Sequence, residues 1–378
     1  MAPKILISAG EASGDLYAAS LAEALRRRYP EAGFFGCVGP RMRAAGVEAV
    51  ADMARLAVVG LVEVLSHIPR IYSEFRKIHR AAEERRPDLA ILTDSPDFHL
   101  RLAPRLRKLG VPVVYLVAPQ AWAWRKGRVH TLRRNVERLL CIFPFEESFF
   151  RAHGVAAVYI GHPLARLVRA SCDKEKFFEK NGLQPGRKLV TLLPGSRPGE
   201  VARHLPDLRG AVRLILERRR DVEFALATPL GHSPASVGAA FPGLPVRIVE
   251  GQTWDAVASS DLALAASGTV TIETALLGTP MVTFYRVSRA SWRLGRPFVN
   301  VPFYSMVNLV AERRVVPELI QNHLTPERLA SEALELLENA AARERMKEDL
   351  AEVAGKLRTG HDPMEWAADE VQAVWKRK

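Results

Sequence analysis

Along most of this chain a short apolar run leads into a small, polar, often glycine-bearing segment and then into an amphipathic stretch. Apolar runs at 4–8, 34–38, 88–93, 111–117, 139–143 and 158–160 have the length and β-branched content of buried strands. A second series follows at 188–193, 222–227, 246–249, 261–264 and 281–285. Between them lie helical stretches such as 16–28, with apolar positions at Leu16, Ala19, Leu21 and Leu25. Strands without polar alternation are buried on both faces, as in a parallel sheet clad by helices. The pattern therefore predicts an α/β protein with two doubly wound halves, divided by the charged crossing at 171–187. Pro104 is read as opening the helix after the 88–93 strand, with Gly110 closing it.

Chemistry collects in the segments that follow the strands, the edge where parallel sheets bind ligands. Gly10-Glu11-Ala12-Ser13-Gly14-Asp15 follows the first strand. Ser13 and Asp15 suit a helix cap, which leaves Glu11 unaccounted for. Asp94-Ser95-Pro96-Asp97-Phe98-His99 follows the 88–93 strand, and Asp94 emerges directly from it. Two tryptophans, Trp122 and Trp124, precede Arg125, Lys126 and Arg128. They suit stacking on a base, sugar or acyl chain, and equally packing against a loop. In the second half Gly195, Ser196 and Arg197 follow one strand, and Ser267, Gly268 and Thr269 follow another and open a helix. A helix start offers unpaired N–H groups and positive dipole to a phosphate. Arg197 suits forked pairing with the same group. Glu273, one turn into that helix, suits either a ribose diol or the helix dipole.

Length and charge narrow the field. A chain of 378 residues has room for two cores, and its net charge of +12 predicts anionic partners. Three scattered cysteines show neither zinc spacing nor a disulfide framework. No G-x-G-x-x-G motif supports a nicotinamide dehydrogenase, and no D-x-D motif supports a metal-bridged diphosphate. The arginines cluster at strand-end loops and beside apolar runs, which argues against a nucleic-acid-binding protein. No run reaches the length of a membrane span. The segment 56–65 is crowded with apolar residues and is followed by Arg70, Arg76, Lys77 and Arg80. It reads as a buried helix or as a lipid-contacting surface. The last segment carries Trp366, Val371, Val374 and Trp375 on one face, suited to packing on the first domain or exchanging between subunits.

Together these motifs resemble the lipid A disaccharide synthase family, glycosyltransferases of the GT-B type. The resemblance runs over nearly the whole chain. It rests on the order of 10–15, 39–42, 56–65, 94–98, 122–125, 161–163, 194–197 with Glu200, and 266–269 with Glu273. It implies two Rossmann-like domains facing a cleft, with a C-terminal helix crossing back onto the first. The implied divisions are an acceptor and lipid domain at 1–165, a UDP-sugar domain at 166–345, and a helical tail at 346–378. The implied reaction joins UDP-2,3-diacylglucosamine and 2,3-diacylglucosamine 1-phosphate into a β(1→6) disaccharide 1-phosphate, with inversion and release of UDP. UDP-sugar is then a substrate, and neither cofactor nor metal is implied. Gly195, Ser196, Arg197, Ser267, Gly268 and Thr269 are expected around the diphosphate, Glu273 on the ribose, and Asn308 near the sugar or diphosphate. Asp94 is the expected base, with Glu11, Asp97 and His99 behind it. Val58, Val59, Leu61, Val62, Val64 and Leu65 become acyl or membrane contacts. The implied location is the cytoplasmic face of the inner membrane, peripherally bound, with homodimerisation through the tail as an option. His99 stands where the family pattern has Asn, and Met306-Val307 where it has Leu-Pro. The alternative is another GT-B enzyme, such as a UDP-N-acetylglucosamine 2-epimerase, which would need no apolar patch.

Overall fold

The computed structural model describes residues 3–56, 61–228, 239–299 and 301–376, with the backbone alone for 61–67. The chain divides into two compact units. One holds residues 1–163, 297–300 and 357–378, and the other holds 164–296 and 301–356.

The first unit is built on a parallel 7-stranded sheet in the order β3-β2-β1-β4-β5-β6-β7. Its strands are β1 (Lys4–Ala9), β2 (Gly33–Val38), β3 (Glu48–Asp52), β4 (Leu89–Thr93), β5 (Val113–Leu116), β6 (Arg138–Cys141) and β7 (Ala157–Tyr159). The second unit holds a parallel 6-stranded sheet in the order β10-β9-β8-β11-β12-β13. Its strands are β8 (Lys188–Leu193), β9 (Val222–Thr228), β10 (Val246–Glu250), β11 (Leu262–Ala266), β12 (Met281–Tyr285) and β13 (Glu318–Ile320). The central strands β4, β5 and β11 are buried along their whole length, as strands clad on both faces must be.

In each sheet the strand order reverses between two neighbours, β1 and β4 in one, β8 and β11 in the other. Ala9 lies beside Thr93, and Leu193 beside Ala265. The loops that leave these strands therefore start side by side at one edge of each sheet. Such a switch point opens a crevice, because successive helices depart to opposite faces.

The departures from sequence expectation are local. β3 and β13 are short edge strands whose mixed composition carries no strand pattern. The first helix, Ala12–Arg28, begins four residues before Leu16 and takes Gly14 and Asp15 into its first turn. The helix after β4, Pro96–Lys108, is opened by Pro96, and Pro104 lies inside it. A proline suits the first turn, where its missing N–H has no helical acceptor. Pro104 instead forgoes one bond in a helix already held by the buried Phe98, Leu102, Ala103 and Leu106.

The C-terminal helix, Pro363–Trp375, packs on Ala12–Arg28 within the first unit, with Ala367, Ala368 and Val371 buried. Arg28 bridges to Glu365 at 2.8 Å and Asp369 at 2.6 Å, and Tyr29 meets Trp375 edge to face. Gly161 lets the returning chain pass. A Cβ there would lie 2.6 Å from Thr359 Oγ1, and its φ of +85° suits glycine. The next residue, His162, donates its N–H to the Leu357 carbonyl at 3.0 Å.

Asp15 latches the first helix to the turn after β2. Its buried carboxylate accepts N–H bonds from Gly39 at 3.0 Å, Arg41 at 2.9 Å and Met42 at 3.1 Å. Gly39 is needed there, since a Cβ would fall 2.5 Å from that carboxylate. Asp15→Ala leaves these donors unsatisfied and should destabilise the protein by about 2–4 kcal/mol in urea unfolding. A loss below about 1 kcal/mol would show that water replaces the latch.

Candidate active site

In the first unit the site is built where β1 and β4 end. Asp94 follows β4 with φ +54°, and Ser95 follows with φ +39°. This left-handed pair turns the Asp94 side chain back over the start of the Ala12–Arg28 helix. Gly10 N–H donates to Asp94 Oδ1 at 2.9 Å, and Glu11 N–H to Oδ2 at 3.1 Å. The fit depends on two missing side chains. A Cβ on Gly14 would lie 1.5 Å from Asp94 Oδ2, and one on Gly10 would lie 2.0 Å from Ser95 Oγ.

Burial pushes the Asp94 carboxyl well above the ordinary carboxylate range, and the neighbouring Glu11 charge adds to the rise. Bonds from the Gly10 N–H, the Ser95 hydroxyl and the Glu11 N–H oppose the shift. A raised carboxyl is a better proton acceptor for an alcohol than an ordinary aspartate. Glu11 is exposed and stands at the N-cap beside it.

Asp97 and His99, in the first turn of the helix that follows, have other partners than the Asp94 carboxylate. Asp97 is exposed and paired with Arg125 at 2.6 Å and Arg128 at 2.9 Å. Both guanidinium groups also lie over the Trp124 ring, at 4.5 and 4.7 Å from its centroid. Asp97 thus ties the 119–128 loop to the first turn of the helix Pro96–Lys108. Trp122 packs edge to face on Phe145, 5.0 Å between centroids, and its indole N–H donates to Glu146 at 3.2 Å. Glu146 is buried, which pushes its carboxyl up to about 8 against the Trp122, Phe143 and Ile142 donors. His99 is fully buried, with Nε2 2.8 Å from Ser8 Oγ and Nδ1 2.9 Å from the Asp94 carbonyl. The carbonyl must accept, so Nδ1 carries the proton and Nε2 accepts from Ser8. Burial lowers His99 to about 4, so it is neutral near pH 7.

In the second unit the loops after β8 and β11 present Ser196, Arg197, Gly268 and Thr269 at the surface. Two helices begin there, Pro198–Arg218 and Thr269–Leu276, and no side chain caps either start. A Cβ on Gly268 would meet nothing within 4 Å, so the approach to that helix start is open. Two helix N-termini and an arginine at one switch point favour an anion. Gly195, at φ +115°, turns the loop onto Glu200, whose Oε2 accepts the Ser196 N–H at 3.1 Å. A Cβ on Gly195 would strike that oxygen at 2.4 Å. His204 repeats the part played by His99. Its Nδ1 donates to the Pro194 carbonyl at 2.8 Å, and its Nε2 accepts the Arg286 N–H at 3.0 Å. Arg286 in turn bridges to Asp207 at 2.6 Å.

Ser267 Oγ donates to the Tyr304 carbonyl at 3.0 Å, and Trp254 donates its indole N–H to Glu273 Oε2 at 2.9 Å. Asn308 departs from expectation. It is fully buried, its Nδ2 donates to Val316 O and Glu318 Oε1, and its Oδ1 accepts the Val315 and Val316 N–H groups. Its amide therefore has no bond left for a ligand. Glu318 also accepts the Ser305 N–H at 2.7 Å, so Asn308 and Glu318 fix the 304–308 turn that reaches Ser267. Of the expected lipid contacts, Val58 and Val59 lie outside the described residues. Leu61, Val62, Val64 and Leu65 fall in the helix Leu61–Arg85, with side chains outside the description.

Ser8, Tyr115, His204 and Glu318 escaped the sequence reading as participants. Their only signal was a lone polar side chain within an apolar or helical pattern, which many satisfied core residues share. The Gly14 contact is directly testable. Gly14→Ala suits a helix but displaces the Asp94 carboxylate, and a misplacement of about 1 Å can cost 10²-fold in rate. We expect kcat to fall by about that factor with unchanged circular dichroism, and wild-type kcat would show that Asp94 need not sit there.

The model of the lipid-A-disaccharide synthetase family matches residues 5–370. The lipid-A-disaccharide synthase of Solibacter usitatus is 61% identical over 365 residues, covering 95% of this chain and 94% of that protein. Among solved structures, the calicheamicin glycosyltransferase CalG4 aligns at a TM-score of 0.63 and 16% identity, covering 99% of this chain and 98% of its own. The Neisseria meningitidis UDP-GlcNAc 2-epimerase bound to UDP-GlcNAc aligns at 0.64 and 11%, covering 99% and 100%. These two likenesses establish the GT-B fold and leave the reaction open. The sequence match decides between them: this chain belongs to the lipid-A-disaccharide synthetase family.

Proposed function

We propose how the residues of the two units share the lipid A disaccharide reaction. The chain is a glycosyltransferase that forms the lipid A disaccharide from a UDP-sugar and a glycolipid acceptor. In our reading the donor is UDP-2,3-diacylglucosamine and the acceptor 2,3-diacylglucosamine 1-phosphate. The diphosphate lies on Gly195, Ser196, Arg197, Ser267, Gly268 and Thr269, and Glu273 takes the ribose. Asp94 accepts the proton of the acceptor 6-hydroxyl as its oxygen attacks C1 of the donor. The C1–oxygen bond to UDP breaks from the opposite face, and its electron pair goes to the β-phosphate oxygen. Arg197 and the two helix starts stabilise that charge. The configuration at C1 inverts. Glu11 modulates Asp94 through its charge.

One contrast carries this reading. One switch point exposes Arg197 beside two uncapped helix starts, and the other holds a carboxyl pushed well above its usual range. An aspartate base works only when ionised, so activity is lost as pH falls through its pKa. With that value raised, kcat/KM should fall on the acid side at a higher pH than the ordinary ~3.9 of aspartate would dictate. Asp94→Asn should lower turnover by about 10²–10⁴-fold and keep UDP affinity, whereas Arg197→Ala should weaken UDP binding. The assay is UDP release with and without the acceptor phosphate. Release that ignores the acceptor, or near-normal turnover by Asp94→Asn, would refute the assignment.

Peripheral contact with the cytoplasmic face of the inner membrane belongs to the same proposal. No helix among the described residues is long and apolar enough to cross a membrane. The helix Leu61–Arg85 nevertheless exposes Ile68 by 49% and Tyr72 by 55%, beside the exposed Arg70, Arg76 and Lys77. Apolar side chains framed by cations match an anionic bilayer surface. Replacing Ile68 and Tyr72 together by Ser should reduce co-sedimentation with phosphatidylglycerol-containing vesicles while leaving the melting temperature within a few degrees. Unchanged vesicle binding would remove this surface from the proposal. Homodimerisation through the tail would be the exchange of the Arg28–Glu365 and Tyr29–Trp375 contacts between subunits.

A further inference from the structure

We infer that His99 and Tyr115 are positioning residues for the transfer reaction: two buried neutral donors that lock the main chain of Asp94 in its left-handed turn and so aim its carboxylate. The inference rests on Asp94 being the base.

The turn needs such a lock. Asp94 and Ser95 are consecutive non-glycine residues at φ +54° and +39°. Aspartate tolerates this region, but such residues are strained and persist only where their surroundings overdetermine them. The restraint visible here is at the Asp94 carbonyl. It accepts His99 Nδ1–H at 2.9 Å and the Tyr115 hydroxyl at 2.6 Å. His99, Tyr115 and Ser8 are all 0% exposed, so water does not substitute for these donors. Ser8 orients the ring from β1 by donating to Nε2 at 2.8 Å, and Phe98 and Tyr115 meet its faces edge to face. β1, β5 and the helix Pro96–Lys108 thus converge on the peptide group from which the carboxylate projects, and the Gly10 and Glu11 N–H groups receive it there.

Charge supports the same reading. A protonated imidazole or an ionised phenol here would change the field at the carboxylate, and neither forms near neutral pH. Burial lowers His99 to about 4 and raises Tyr115 well above its ordinary value, with the Asp94 charge adding to the latter. The other charges acting on this cluster are those of Glu11, Asp97 and Arg128. Near neutral pH the lock therefore keeps its charge state and does not compete for the acceptor's proton.

The geometry separates positioning from mere packing. In asparagine the amide nitrogen is bonded to Cγ, as Nδ1 is in histidine, so His99→Asn can keep the donor to the Asp94 carbonyl while losing the Ser8 contact. His99→Leu fills the space and keeps neither. We expect His99→Leu to lower kcat by about 10–100-fold with KM values for both substrates within about twofold. His99→Asn should recover most of that loss, and Tyr115→Phe should show a smaller loss of the same kind. In parallel, the Asp94 carboxyl followed by ¹³C NMR on the free protein should titrate closer to the ordinary aspartate range in His99→Leu, because it leaves its desolvated seat. Wild-type kcat in His99→Leu, or a loss that His99→Asn does not repair and that parallels a fall in stability, would overturn the inference. If Asp94→Asn turns over normally, the base assignment fails, while the NMR titration still reports whether His99 holds the carboxyl.

Discussion

A single peptide group at the end of β4 joins the fold of the first unit to its proposed chemistry. The carbonyl of Asp94 is held by two buried donors, and its side chain is held by the N–H groups of Gly10 and Glu11. The bonds to the side chain require β1 and β4 to be neighbours, which the reversal of strand order at the centre of the sheet provides, and the Tyr115 bond requires β5 on the other side of β4. The same arrangement requires that Gly10 and Gly14 have no side chains, because the Asp94 carboxylate occupies the space of a Cβ on Gly14 and the Ser95 side chain that of one on Gly10. The result is a carboxyl both desolvated and bonded to a helix start, two influences that oppose each other on its pKa. Burial wins.

The second unit repeats the construction with the opposite polarity. A buried histidine again donates Nδ1–H to the carbonyl at the end of a central strand, Pro194 in place of Asp94. A glycine again makes way for a carboxylate, Gly195 for Glu200. Here the acid turns inward onto the Ser196 N–H, and what faces solvent is Arg197 with two helix starts. Related backbones thus carry a raised carboxyl on one sheet and an exposed arginine with two helix starts on the other, the pair to which the proposed mechanism gives proton transfer and diphosphate binding. A transfer reaction with an anionic leaving group calls for that pair.

The element order was legible because buried strands and amphipathic helices leave different periods in the sequence. The strand-end loops were legible because glycine, serine and charge rarely cluster inside packed elements. Edge strands β3 and β13 were not, since a short, half-exposed strand has no need of an apolar run. Pro104 was misplaced at the helix start because either proline of 96–108 can open a helix, and the left-handed turn before Pro96 gives that place to Pro96. Asn308 was grouped with ligand contacts, yet all four of its hydrogen bonds lie inside the protein. A buried amide and a ligand-binding amide look alike in sequence, because both need a small polar side chain on a loop or helix start.

The sequence alone determined the α/β class, the two halves, the family and the positions of the chemistry-bearing loops. Period, spacing and motif order are properties of the chain itself. Only the tertiary structure decided which carboxylate of the 94–99 segment is raised and which is neutralised by arginines. It also decided that His99 is a neutral donor and that Trp122 and Trp124 hold a loop. These are questions of burial and of partners distant in sequence. Ser8 and His99 stand 91 positions apart and meet at 2.8 Å, a distance that no local pattern encodes.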